Sequence, residues 1–342
     1  LAGGYFWLGR RDTPASHTGR AQAPARSVAA PVAPAAASAQ AMAWLCRSQE
    51  EDGSWSAAKW GGNRQFQPAL TALGLMAVLG DGSNSPDRVR SAVAKRAANY
   101  LVASQDSEGE IGEPFSGAPY NQGMATHALL MAYHASGDAA LRGPLDRAVE
   151  AIGRRQHADG GWGYRDEVDP LSNLSITLWQ VKALRAAAEF GWPQAKARAE
   201  RGMRWIAGVT DEEGFFGYRQ PRDFPEGSTT LTAMGAASVL DSPVDLLPPQ
   251  RRRAIQVRLE HLAAQPGQGN DYYQRYFLSA ALKRVGTDQA LGLLRDLQRD
   301  IASNQLQEGP LNGSWALNDR WSDTGGRIYV TTMAALALRT DR

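Results

Sequence analysis

The stretch QHADGGW, from Gln156 to Trp162, decides the fold. It follows the amphipathic run LDRAVEAIGRRQ and precedes the almost uncharged SNLSITLWQVKAL. The same unit is found elsewhere in the chain. QEEDGSW carries Gln49, Gly53 and Trp55, and the degenerate QDSEGEI carries Gln105, Gly109 and Ile111. TDEEGFF keeps Gly214 without the glutamine, and QPGQGN keeps Gln265 and Gly269 without the aromatic. QEGPLNGSW spreads Gln307, Gly313 and Trp315 with an insertion. Six copies at a period of about 50 residues mark an internal repeat, which has to be settled before any other reading of the fold. The residue types explain one another. A glutamine at a helix end can bond main-chain groups of the next turn, glycine permits the positive φ needed to leave the helix, and tryptophan packs a flat face while offering its N–H.

Two kinds of helix flank the turns. One kind carries the charges on a single wet face: VRSAVAKRAANYLVASQ, AKARAERGMRWIAG, QRRRAIQVRLEHLAAQ and LGLLRDLQRDIASNQ. The other is rich in Ala, Leu, Thr and Met and almost free of charge: QPALTALGLMAVLG, NQGMATHALLMAYH, STTLTAMGAASVL, YYQRYFLSAALKRVG and RIYVTTMAALAL. A helix apolar over most of its circumference is buried over most of it. Six wet helices alternating with six dry ones predict an all-α fold, an (α/α)6 barrel or toroid of six helical hairpins with the dry helices inside. An open solenoid satisfies the same pattern but would expose the concave side of the inner helices.

The chain has 342 residues, 37 basic and 35 acidic side chains, and 21% charged residues. This near balance argues against a nucleic-acid partner. A single cysteine leaves no intramolecular disulfide and no multi-cysteine metal site. From Ala21 to Gln40 the sequence is almost entirely Ala, Pro, Ser and Val with no acid, the composition of a disordered tether. Residues 1–40 are therefore read as a tether and 41–342 as one barrel. The opening LAGGYFWLGRR places Phe6, Trp7 and Leu8 before Arg10 and Arg11. That stub reads either as a ragged start or as the flank of a membrane anchor, which would place the barrel outside the cytoplasm.

QEEDGSW, QHADGGW and LNGSW resemble the QW repeats of the squalene–hopene and oxidosqualene cyclase superfamily, also called prenyltransferase/squalene oxidase repeats. GSW…DRWSDTGGRIYVTTMAALAL, YNQGMATHALLMAY and SNLSITLWQVKAL resemble bacterial members with a single barrel. The likeness spans roughly Ala41 to Thr340 and implies a terpenoid cyclase/protein prenyltransferase-like toroid. It says less about activity. Class II terpenoid cyclases protonate an alkene or epoxide with a DxDD aspartic acid, and this chain has no DxDD. RDEVDP, with Asp166 and Asp169, offers the right chemistry in a different arrangement, or a solvated loop in which Asp169 or Asn173 caps the next helix. Prenyltransferase β subunits hold zinc through Asp, Cys and His, but the lone Cys46 lies beside Trp44 with no companion ligands. Thioester domains of this fold need a GCGEQ-like loop, which is absent. No metal or cofactor is expected.

What remains is the rim where the inner helices begin, whose dipoles favour a polar or anionic guest. The candidate binding groups around it are Trp60, Arg64, Tyr120, Asn121, Trp179, Glu226, Asp271, Tyr272, Tyr276, Trp321, Asp323, Arg327 and Tyr329. Asp166, Asp169 and His127 are the candidate acid–base groups. Each has a structural alternative as cap, core aromatic or ring-closing ion pair. Three functions fit. The favoured one is a module holding an isoprenoid, lipid, glycan or peptide at the barrel mouth. The second is an enzyme, either a terpenoid cyclase or isomerase working from Asp166 and Asp169, or a glycan-processing enzyme using acids such as Asp169 and Glu226. The third is a scaffold that binds a partner protein.

Overall fold

A computed structural model describes residues 32–80, 88–165, 171–223, 228–242, 245–265 and 270–339. Among the described residues there are twelve α-helices, and extended pairing is confined to isolated bridges. The helices are α1 (Pro34–Ser48), α2 (Gln67–Leu79), α3 (Arg88–Ala103), α4 (Ala118–Ser136), α5 (Arg142–Arg154) and α6 (Leu174–Glu189). They continue with α7 (Ala195–Gly208), α8 (Ser228–Leu240), α9 (Pro249–Ala264), α10 (Tyr272–Val285), α11 (Asp288–Ser303) and α12 (Ser322–Ala337).

The even-numbered helices pack in the order α2, α4, α6, α8, α10, α12, and α12 packs back on α2. The fold is thus a closed (α/α)6 barrel, not an open solenoid. Burial follows the apolar patterning: every residue from Pro68 to Leu79 of α2 is buried, whereas α3 buries only the stripe Val93, Ala94, Ala97, Ala98 and Leu101. No helix among the described residues is long and apolar enough to cross a membrane.

The repeated turn tightens the ring. In each well-kept copy one glutamine Nε2 donates twice: to a carbonyl of its own turn and to a carbonyl of the next outer helix. Gln49 reaches Gly53 (2.9 Å) and Val93 (2.9 Å), and Gln105 reaches Gly109 (3.3 Å) and Pro144 (3.0 Å). Gln156 reaches Gly160 (2.8 Å) and Arg198 (2.9 Å). An arginine one turn further along that next helix (Arg96, Arg147 or Arg201) holds the Oε1 of the same glutamine. The turn glycine lies directly on the helix backbone: a Cβ at Gly53, whose φ is +91°, would stand 2.3 Å from the Arg96 carbonyl oxygen. Trp55, Trp162 and Trp315 donate Nε1–H to the carbonyls of Leu45, Ile152 and Ile301 on their own outer helices. Their main-chain N–H groups reach Thr71, Thr177 and Thr331 on the following inner helices.

The sixth turn closes the circle and corrects two expectations. Its bridging glutamine is Gln305, not Gln307: Gln305 Nε2 donates to Gly313 (3.0 Å) and to Ala37 of α1 (2.8 Å). The insertion lengthens the turn on the side following the glutamine, so the residue that stays in register is two positions earlier. The second correction concerns the tether. Helix α1 begins at Pro34, with Ala37 fully buried, so residues 34–40 belong to the barrel. Alanine is the strongest helix former and proline is accepted at a first helical position, so this stretch folds once α11 and α12 provide a surface. Residues 1–31, with the stub and most of the proposed tether, lie outside the described residues.

The closing contact can be weighed within one turn. Gly309 and Gly313 both have positive φ (+64° and +92°), but a Cβ at 309 meets nothing within 4 Å and one at 313 would stand 2.4 Å from the Gln40 carbonyl oxygen. Gly309→Ala is expected to cost about 1 kcal/mol in urea unfolding, the penalty of a left-handed L-residue. Gly313→Ala should cost about 1–3 kcal/mol more, because α1 must move. Equal costs would mean that the sixth turn does not seat on α1.

Candidate functional site

The successive packing of α8, α10 and α12 brings their first turns together on one rim, and two aspartates meet there. Asp271 is the N-cap of α10: its Oδ1 accepts the Gln274 N–H (2.9 Å) and its Oδ2 the Thr230 hydroxyl of α8 (2.8 Å). Asp319 sits just before α12. Its Oδ1 accepts the Trp321 N–H (2.7 Å) and its Oδ2 reaches across to the Tyr272 N–H of α10 (2.6 Å). A bridge between Asn270 and Asp319 fixes the register of the two segments. The nearest cation is Arg320, 3.7 Å from Asp271 Oδ2 and stacked over the Trp321 ring at 4.7 Å.

Asp319 is only 7% exposed, and Asp271 is also mostly buried. Burial pushes both carboxyls upward, and the charge on Asp271 pushes Asp319 further, to about 7, against the N–H groups of Tyr272 and Trp321 that favour its ionised form. Two like charges so placed cannot both ionise cheaply. Asp319 therefore holds a proton that it can give up near neutral pH, beside a carboxylate that keeps it there.

The surroundings are aromatic. Tyr272, Tyr273 and Tyr329 are buried around the pair, with their hydroxyls raised by burial and, for Tyr329, by both aspartates, so they remain neutral. Trp179 of α6 donates Nε1–H to the Tyr273 hydroxyl (2.5 Å). Edge contacts continue from Trp179 to Phe277 (5.9 Å) on one side of the barrel, and from Phe115 through Phe66 and Tyr120 to Tyr164 on the other. The Tyr120 hydroxyl bonds Ser175 (2.8 Å), and Tyr164 and Tyr218 meet hydroxyl to hydroxyl at 3.5 Å.

The sequence candidates divide accordingly. Asp271, Tyr272, Trp321, Tyr329 and Trp179 are brought together at the pair, and Tyr120 lies on the aromatic chain nearby. Trp60 is at the seam, edge-on to Trp44 (4.9 Å), and its carbonyl accepts the Arg327 N–H. The Arg327 side chain turns to the sixth turn, donating to Trp315 O (2.5 Å), and not to Asp323 as a ring-closing ion pair would require. Asp323 and Arg64 are exposed. Asn121 ties α4 to α2 through Ala69 N and Gln65 O, a structural joint that uses both ends of its amide. Tyr276 faces Lys182, away from the pair. Asp166, Asp169 and Glu226 lie outside the described residues, while Asn173 caps α6 through Ile176 N. His127 is not at this rim; it lines a cavity with Lys182 and Arg185, further along the inner helices. Asp319 escaped the sequence reading, although an aspartate within three residues of the start of an inner helix occurs in both the fifth and sixth units. Among the described residues no group of three or more His, Cys, Asp or Glu is placed to hold a metal ion.

No protein-family model matches the chain. In sequence it is similar to a drimenyl diphosphate synthase from Streptomyces showdoensis, 30% identical over 145 residues that cover 42% of this chain and 26% of that protein. The chain thus spans about a quarter of the length of this curated relative. In structure it resembles an alpha-amylase from Clostridium perfringens (TM-score 0.64, 8% identity, 90% of this chain and 97% of that one). It also resembles a type II terpene cyclase from Scytonema in complex with merosterolic acid A (TM-score 0.58, 13% identity, 90% and 96%). These structural likenesses establish the barrel, which hosts several chemistries.

The raised carboxyls carry a signed consequence for stability. In the unfolded chain Asp319 loses its proton near pH 4, about 3 pH units below the folded value of about 7. Between those limits the folded state binds more protons, so this group's contribution to stability declines as pH rises through the window and levels off above it. Urea midpoints measured from pH 5 to 8 should show a decline for the native chain that shrinks in Asp319→Asn. A native-minus-variant difference that grows more stabilising with pH would contradict the assignment.

Proposed function

We propose that the chain is an acid–base enzyme acting on an isoprenoid, a cyclase or isomerase in which Asp319 is the proton donor and Asp271 the partner that keeps it protonated. The observation that carries this reading is the buried Asp271–Asp319 pair, with one member raised to about 7 and tyrosine and tryptophan rings on its flanks. The Asp319 O–H proton passes to one carbon of an alkene, the π electrons form the new C–H bond, and a carbocation is left against aromatic faces. Loss of a proton from the adjacent carbon, returned to the Asp319 carboxylate, restores the double bond in its new place and resets the acid. The pair differs from DxDD in that its two carboxyls come from different repeat units, brought together where the successive inner helices α10 and α12 pack. The likeness to a drimenyl diphosphate synthase over part of the chain supports an isoprenoid more than a saccharide. Passive binding at the mouth would not call for a carboxyl held near neutrality.

Turnover of farnesyl diphosphate, geranylgeranyl diphosphate and squalene, followed by gas chromatography, tests the reading. Asp319→Asn should lose about 100-fold or more, the scale of a removed general acid, with a melting temperature within a few degrees. Native activity should fall as pH rises through about 7. Asp271→Asn should move that fall to lower pH, because Asp319 loses the charge that raises it. Undiminished turnover by Asp319→Asn, or hydrolysis of glycans in place of isoprenoid turnover, would contradict it.

A further inference from the structure

At the other end of the inner helices, α6 and α8 pack less closely than the other neighbouring inner pairs. A cavity of about 920 Å³ opens there between α4, α6, α7, α10 and the segment that follows α8. A smaller pocket of about 130 Å³ adjoins it, shares Lys182, Arg185, Asp241 and Arg284, and runs inward to Tyr276 and Phe277. Met131, Phe190, Met203 and Leu246 give the larger cavity an apolar wall. Five cations face three carboxylates around it, Glu189, Glu200 and Asp241. Asp241 is already committed to Arg185 (2.8 Å) and to Arg284. Lys182, Lys196 and Arg204 have no carboxylate within ion-pair distance among the described residues; the Lys182 ammonium lies 6.0 Å from the Tyr276 ring, inside the barrel. A second observation points the same way. His127 lines this cavity, and its Nδ1 is buried with no hydrogen-bond partner. Burial, with Lys182 and Arg185 close by, holds the imidazole neutral, so it adds a polar contact without further positive charge.

We infer that this cavity binds a single-chain amphiphile with an anionic head, a carboxylate or a phosphate. The head lies among Lys182, Lys196 and Arg204, and the chain lies along Met131, Phe190, Met203 and Leu246. Lys196 and Arg204 stand exposed at the opening and Lys182 is half-buried within it. An apolar wall beside these cations fits that chemistry better than it fits a neutral lipid, which would leave the half-buried Lys182 without a counter-charge, or a bare anion, which would leave the apolar wall wet. The site is separate from the aspartate pair and does not depend on it.

Titration calorimetry on the full chain decides the matter with four probes: dodecyl phosphate, dodecanoate, dodecanol and inorganic phosphate. Dodecyl phosphate and dodecanoate should bind one to one. Dodecanol and inorganic phosphate should each bind at least about 10-fold more weakly, a difference of about 1.4 kcal/mol. The double variant Lys182→Gln, Lys196→Gln should lose about 10-fold for the two charged amphiphiles and keep its weak affinity for dodecanol. Asp319→Asn should bind as the native chain does, so failure of the rim chemistry and failure of this site are told apart. Equal affinities for dodecanol and dodecyl phosphate, equal affinity in the double variant, or inorganic phosphate binding as tightly as dodecyl phosphate would overturn the inference.

Discussion

The ring is set by one carboxamide contact, made at four of its six turns, by Gln49, Gln105, Gln156 and Gln305. A glutamine at the end of each well-kept outer helix joins a carbonyl of its own turn to a carbonyl of the next outer helix, and a glycine lets the two backbones touch. A buried carbonyl left unpaired costs about 1–3 kcal/mol, so each bridge satisfies the turn carbonyl, adds a second bond to a helix carbonyl already paired in its own ladder, and sets the angle between successive hairpins. Because the bridge of the sixth turn ends on Ala37 of α1, the angle closes on itself. Inner helices that are apolar on all sides then have neighbours on all sides.

The rim acid pair follows from the packing of successive units. Asp271 and Asp319 lie in different units, and each has an ordinary local role, the first capping α10 and the second pinning the entry to α12. Only with α10 and α12 side by side does Asp319 reach the Tyr272 N–H and feel the charge on Asp271. Capping hydrogen bonds lower a carboxyl and burial beside a like charge raises it; here the second effect wins for Asp319. The same two groups thus brace the rim and store a proton, which is why a structural and a chemical role need not exclude each other.

Much of this was legible in the residues. The turn glycines, the alternation of wet and dry helices and the Trp55, Trp162 and Trp315 staples led directly to the closed barrel, because each reports a local need that the fold meets locally. The errors have a common cause. Gln305 in place of Gln307, and helix beginning at residue 34 in place of 41, both concern the seam, where an insertion and an Ala-rich stretch take their meaning from a partner some 270 residues away. Asp319 was missed for the same reason: its proton affinity comes from Asp271 and from burial, neither of which its own neighbours display. Conversely, Asn121 and Arg327 looked like rim groups in sequence because polarity on an inner helix marks either a ligand contact or a joint between helices, and here it marks joints.

The central claim is that Asp319 keeps its proton to near neutrality because it is buried and Asp271 stands beside it. Site-resolved carboxyl ¹³C NMR of Asp319 across pH 3 to 9, in the native chain and in Asp271→Asn, tests this most directly. The expected result is a native midpoint of about 7 that falls when Asp271 is replaced. A native midpoint near the ordinary aspartate value of about 4, or one that Asp271→Asn leaves unmoved, would contradict it.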